Sequence, residues 1–204
     1  MNPFGDLFAS PARGLFMGNR GGRIHREDRT LGRRRHATRA WICCRLEFNN
    51  RRRDIWGKGY TELFFLDEVT ALAAGHRPCF ECRRRDAQAF ADRWALAEER
   101  RRPPRAAEMD AVLHRERLDG RAKRRYRMLF DELPDGVMVA LDGAVWAVRG
   151  AALLRWSPSG YDARRPRPQG EVADMLTPPA VVRVLSAGYA PQWHPSADRL
   201  SEMV

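Results

Sequence analysis

Lysine is almost missing from this chain: of its 37 basic residues only Lys58 and Lys123 are lysine. Such a preference for arginine, beside abundant Ala, Gly and Pro, is what a GC-rich genome writes whatever the function, so the choice of Arg carries no information about partners. Long apolar runs are also lacking. No segment approaches the roughly 20 residues needed to cross a bilayer, and the start Met1-Asn2-Pro3-Phe4-Gly5-Asp6 has no charged stretch leading into an apolar one. Both absences point to the cytoplasm. Cysteine is scarce, with only the adjacent pair Cys43 and Cys44 and the spaced pair Cys79 and Cys82. In a reducing compartment so few thiols are metal ligands or core residues, not a disulfide framework. A nucleotide-type phosphate loop is absent too, because no Gly-Lys-Ser/Thr follows Gly18 to Gly22.

What is present is a globular composition and a lopsided charge. A chain of 204 residues that is 44% hydrophobic, with six Trp and nine Phe, can bury a sizeable core, which excludes a disordered protein. Residues 1–58 carry 14 basic and 5 acidic side chains, residues 59–100 carry 6 and 8, and residues 101–204 carry 17 and 13. Most of the excess of +11 therefore sits at the N-terminal end, in Arg20, Arg23, Arg33, Arg34, Arg35, Arg51, Arg52 and Arg53. Arginines in Gly-containing loops approach phosphates closely, and such a stretch implies salt-dependent binding to DNA or RNA. The plainer alternative is a solvated basic surface on a protein-interaction scaffold.

Punctuation along the chain predicts an α+β fold. Arg39 to Phe48 reads as a strand, Asn49-Asn50 as a turn and Arg51 to Trp56 as a returning strand. Tyr60 to Leu66 is a further strand. Asp67 then caps a short helix through Ala74, Gly75 stops it and Pro78 prevents its resumption. A second helix follows from Arg84 to Arg101, with Ala87, Phe90, Trp94 and Leu96 on one face. Later come a helix over Glu108–Leu118 and a three-stranded meander through residues 137–156, with Asp142-Gly143 as its first turn. A polar loop through Arg164-Arg165-Pro166-Arg167-Pro168 precedes a closing helix capped by Thr177.

The sharpest motif is Cys79-Phe80-Glu81-Cys82, placed directly after a helix stop. A CxxC turn presents two thiolates at the spacing that supplies half of a tetrahedral zinc site. The segment Phe64-Phe65, Ala73-Ala74-Gly75-His76-Arg77-Pro78-Cys79, Cys82-Arg83 and Asp86 resembles the zinc-binding domain at the N-terminus of Ada-type DNA-alkylation-repair proteins. The resemblance implies Cys79 and Cys82 as ligands of a structural Zn2+, with the remaining ligands upstream. Those are Cys43 and Cys44 together, or one of them with His25 or His36. Adjacent residues on a regular strand point to opposite faces, so delivering both cysteines takes a bulge. The repair proteins carry upstream cysteines separated by three residues, and one of them accepts a methyl group. The apolar neighbours Ile42, Leu46 and Phe48 bury Cys44 here, so methyl acceptance is not expected.

The expected organisation is a basic segment at 1–35, a zinc module at 36–101, a linker and helix at 102–132, and a meander with its helix at 133–204. The expected function is non-catalytic nucleic-acid binding, accessory to repair or processing. An enzyme acting on nucleic acid is the alternative, with Asp110 orienting His114 four residues along one helix face, or with His76 in its site. Trp156, Tyr161, Trp193 and His194 suit either a core or a groove on which bases stack.

Overall fold

Four short strands, β1 (Phe16–Asn19), β2 (Ile42–Arg45), β3 (Leu63–Phe65) and β4 (Arg77–Pro78), form a sheet of order β3-β1-β2-β4 in the computed structural model, which describes residues 1–50 and 54–201. β1 is antiparallel to both of its neighbours, and β2 meets β4 in parallel. The basic N-terminal segment thus supplies an inner strand. Gly18 makes this possible: facing Cys43 in register, a Cβ there would stand 2.1 Å from the Ile42 carbonyl oxygen and 2.7 Å from the Phe65 ring. The hairpin predicted from residues 39–56 does not form among the described residues. Asn49 and Asn50 do turn, with φ of 52° and 51°, yet both edges of β2 are already taken by β1 and β4.

Asp67 caps helix α1 (Glu68–Ala73) as its sequence position requires, accepting from the Thr70 amide at 2.9 Å. Gly75, at φ +85°, closes the helix through its amide to the Leu72 carbonyl. All six residues of α1 are buried, the state expected of a helix covered on every side. Helix α2 (Arg84–Ala97) buries Ala87, Phe90, Ala91 and Trp94. Leu96, expected on the same face, is 61% exposed, because two residues past Trp94 lies about 200° around the helix.

Helix α3 (Ala106–Arg117) leads through a small ribbon, β5 (Leu118–Asp119) with β6 (Ala122–Lys123), into the main sheet. That sheet comprises β7 (Tyr126–Leu129), β8 (Met138–Leu141), β9 (Ala144–Arg149), β10 (Ala152–Ser157), β11 (Gly160–Pro166) and β12 (Val172–Met175), in order β11-β10-β9-β8-β12-β7. The predicted meander is its centre. The arginine-rich stretch expected as a loop is instead the edge strand β11. Ion pairs from Arg155 to Asp162 at 2.7 Å and from Arg165 to Asp142 at 2.8 Å let so polar a sequence lie on a sheet edge. Helices α4 (Pro179–Ser186) and α5 (Ser196–Ser201) end the described chain. Thr177 does not cap α4, whose cap position is Pro178; its hydroxyl accepts from the Met138 amide instead.

The main sheet is covered on both faces, and alternation along its strands shows how. Val139, Trp146, Val148 and Leu153 face a cluster shared with Phe90, Trp94, Met109, Leu113 and Val181 of α2, α3 and α4. Their neighbours Met138, Val145, Ala147 and Leu154 face Leu66, Val69 and Ala73 of the α1 region and Ala197 of α5. Burial on two sides explains why these strands read as nearly continuous apolar runs. Each fully buried Val or Leu there contributes about 1.5–3 kcal/mol. Among the described residues no helix is long and apolar enough to cross a membrane.

Candidate metal centre

Three segments meet where β2, β4 and α2 converge. β2 carries Cys43 opposite Gly18 and Cys44 opposite Met17, and the Cys79 amide donates to the Cys43 carbonyl at 3.0 Å, which sets the CxxC turn beside β2. The Arg83 amide closes that turn onto the Cys79 carbonyl at 3.0 Å and starts α2. Cys44, Cys79 and Cys82 are brought together, with their sulfur atoms all within 4.8 Å of one another. Cys43 is not among them. On a regular strand it points the other way, into a cluster with Phe16, Leu63, Phe65 and Ala71, where Arg83 Nη1 donates to its sulfur at 3.4 Å. No bulge interrupts β2, so the expectation of four cysteine ligands is corrected to three.

The histidines do not complete the set. His25 Nε2 lies 2.9 Å from the Gly57 carbonyl, which only accepts, so Nε2 carries the proton and Nδ1 accepts from the Thr61 hydroxyl at 2.7 Å. Both ring nitrogens are used. His36 packs against Trp41 and His114, away from the sulfurs. Among the described residues the cluster therefore offers three protein ligands.

The donor chemistry fits a thiophilic cation. The Arg45 and Glu81 amides donate to Cys82 and Cys79 Sγ at 3.4 Å each, which favours thiolates. Hydrogen bonds to Cys79 and Cys82, then burial, push the Cys44 thiol up, while hydrogen bonds from Cys44 and Cys82 pull Cys79 down. Three sulfurs this close cannot all ionise unaided, and a divalent cation removes that conflict. The three cysteines also line a groove of about 830 Å3 with Asn19, Thr38, Lys58, Tyr60 and Glu62.

A buried ionic tether fixes the turn from behind. Arg83, 1% exposed, pairs with Glu68 at 2.8 Å and with Asp86 at 2.9 Å, and Glu68 in turn accepts from the Tyr189 hydroxyl and the Gln192 amide.

The remaining candidates divide. Of the arginines expected to contact phosphate, Arg23, Arg33 and Arg34 are exposed. Arg20 is buried and commits its Nη1 and Nη2 to the Arg35 and Gly5 carbonyls, leaving Nε without a partner, while half-buried Arg35 holds Asp6 at 3.0 Å. Arg51, Arg52 and Arg53 lie outside the described residues. Asp110 does not orient His114: it accepts from Arg77 Nε and Nη2 at 2.9 and 2.8 Å in a buried pair. Spacing on a helix face cannot see a stronger partner arriving from another segment. Tyr161 donates to buried Asp67 and Trp156 to Thr70, so these aromatics belong to the core. Comparison with protein-family models, curated proteins and solved structures finds no match to this chain.

Proposed function

We propose that this is a zinc-thiolate protein that binds nucleic acid through its exposed N-terminal arginines, without chemistry of its own. The convergence of Cys44, Cys79 and Cys82 within 4.8 Å carries the reading. Zinc is the cation that a cytoplasmic set of buried thiolates selects, being borderline-soft and free of redox chemistry. Three protein ligands depart from the closed four-ligand site of a purely structural zinc, and a fourth ligand would come from the groove side. The resemblance to the Ada-type metal-binding domain supports the same metal. Burial of Cys44 at 7% exposure argues against methyl acceptance there. For nucleic acid the support is charge: Arg23, Arg33, Arg34 and Arg39 are all exposed on a segment where base exceeds acid.

Elemental analysis of the purified protein, with Cys79→Ser alongside, tests the metal. Zinc near one per chain, lost in the variant, supports the reading. A zinc-free, folded wild type overturns it. Gel shifts with DNA and RNA across a salt series test the partner, and affinity that does not fall with salt removes the arginine surface.

A further inference from the structure

Around Trp41 the chain gathers positive charge without acid. Trp41 is 1% exposed, and the guanidinium carbons of Arg20 and Arg117 lie 3.8 and 4.0 Å from its ring centroid. His76 packs against the same indole at 5.0 Å, and His36 at 5.8 Å. His36 meets His114 edge to face at 5.1 Å, and Arg117 Nη2 is 3.4 Å from His114 Nδ1. Lys123 closes the group from behind, donating to the Ala73 carbonyl. Among the described residues Arg20, Arg117 and Lys123 have no carboxylate at ion-pair distance. The acids acting on them from farther away, Asp6 and Asp110, are held by Arg35 and Arg77.

The same place holds a concentration of buried polar atoms with no protein partner: Arg20 Nε, Arg117 Nε, Trp41 Nε1, His36 Nδ1 and both ring nitrogens of His76. Buried polar groups are normally paired, and buried charges almost always are. One orphan is tolerable; several in one cluster of cations indicate a ligand of opposite charge.

We propose that Arg20, His36, His76, His114 and Arg117 form a binding site for a phosphate group around Trp41. The donors come from the end of β1, the loop before β2, the turn after α1 and the last turn of α3, so they converge from several directions. That suits a tetrahedral dianion with acceptors on every side better than a planar, singly charged carboxylate. Trp41, His76, Arg20 and Arg117 are buried, and half-buried His36 and His114 are the members of the cluster with access to solvent, through which as its mouth a ligand would enter. Burial first, and then mostly these cations, hold all three imidazoles below their usual range, and a bound anion reverses the second effect. The site shares no residue with the sulfur cluster and requires neither zinc nor a duplex.

The test is calorimetric titration of the full-length protein with inorganic phosphate at fixed ionic strength, chloride serving as control, with melting curves alongside. Saturable binding and a raised midpoint are expected, with affinity falling about tenfold or more in His36→Ala and in His114→Ala, each of which removes a charge-assisted contact at the mouth. Circular dichroism checks folding, and His114→Gln, close in shape to histidine, replaces His114→Ala if that variant misfolds. Absence of saturable phosphate binding to the folded wild type overturns the proposal, as does unchanged affinity in both folded mouth variants. Displacement of phosphate by a 5′-phosphorylated oligonucleotide, and not by its 5′-hydroxyl counterpart, assigns the group to a nucleic-acid end. If neither displaces it, the ligand is the free ion.

Discussion

Replacing Cys43 and Cys44 one at a time separates packing from ligation within a dipeptide. Cys43 is fully buried against Phe16, Leu63, Phe65 and Ala71, so Cys43→Ala removes one sulfur from a packed cluster and costs about 1–2 kcal/mol. It also deprives Arg83 Nη1 of its acceptor at 3.4 Å, but Arg83 keeps Glu68 and Asp86. Its zinc content should stay at the wild-type value. Cys44→Ala leaves two of the three converging sulfurs and should abolish stoichiometric zinc. Metal that binds only the folded chain at a hundredfold excess over its Kd adds about 2.7 kcal/mol of stability. For a domain of this size each kcal/mol moves the melting midpoint by about 2–4 °C, so chelation lowers it by about 5–11 °C. Wild type and Cys43→Ala should both show that drop on adding a chelator, and Cys44→Ala should show none. Elemental analysis with melting curves reads both effects. A folded Cys43→Ala without zinc, or Cys44→Ala with a full complement, would refute the assignment of faces.

Three further outcomes follow from the charge arrangement. Burial, then Arg117 and Arg20, lowers Lys123 from 10.5 to about 7, so between those values the unfolded chain binds more protons than the folded one. The contribution of this group to stability should therefore rise with pH from about 7 to about 10.5, and urea titrations of Lys123→Met should lack that part of the pH dependence; an equal slope contradicts an ammonium held among cations without a carboxylate partner. Asp110→Asn strands Arg77 in a pair with exposures of 6% and 9%, and should cost about 3–5 kcal/mol by denaturant unfolding, where a loss under about 1 kcal/mol would mean the pair is solvated. Changing Arg23, Arg33 and Arg34 together to Gln should cut the slope of log K against log salt for DNA by up to about 2.7, at about 0.9 for each phosphate that is no longer neutralised. An unchanged slope would remove these three side chains from the interface.

Local chemistry was legible in the sequence where it is truly local. The Asp67 cap, the Gly75 stop, the CxxC turn and the Asp142-Gly143 hairpin all form where their residue types direct, because each depends on atoms within a few positions. Alternation along β2 was the same kind of local rule, but the expected ligand set used both Cys43 and Cys44, and only Cys44 joins the cluster. Pairing between distant segments was not legible. β1 is four residues with a central glycine, a poor strand signal until Ile42 and Phe65 close on it. β11 reads as a loop because its charged residues find partners only on other segments, Asp162 on Arg155 of β10 and Arg165 on Asp142 of the β8–β9 turn. The Trp41 cluster draws on residues 20, 36, 41, 76, 114 and 117, and its only trace in the sequence was three scattered histidines.

The tether behind the cysteine turn also sets an order of events during synthesis. Arg83 is locked by Glu68, and Glu68 by Tyr189 and Gln192, which are made long after the cysteine turn. A ribosome adding roughly 5–20 residues per second needs on the order of 5–20 s to travel from Cys82 to Tyr189. For that interval the nascent chain carries its thiols without the contacts that later bury the turn. On the proposed zinc reading, metal capture and thiol oxidation compete during that interval, and the supply of metal at the ribosome bears on how many chains reach the folded state.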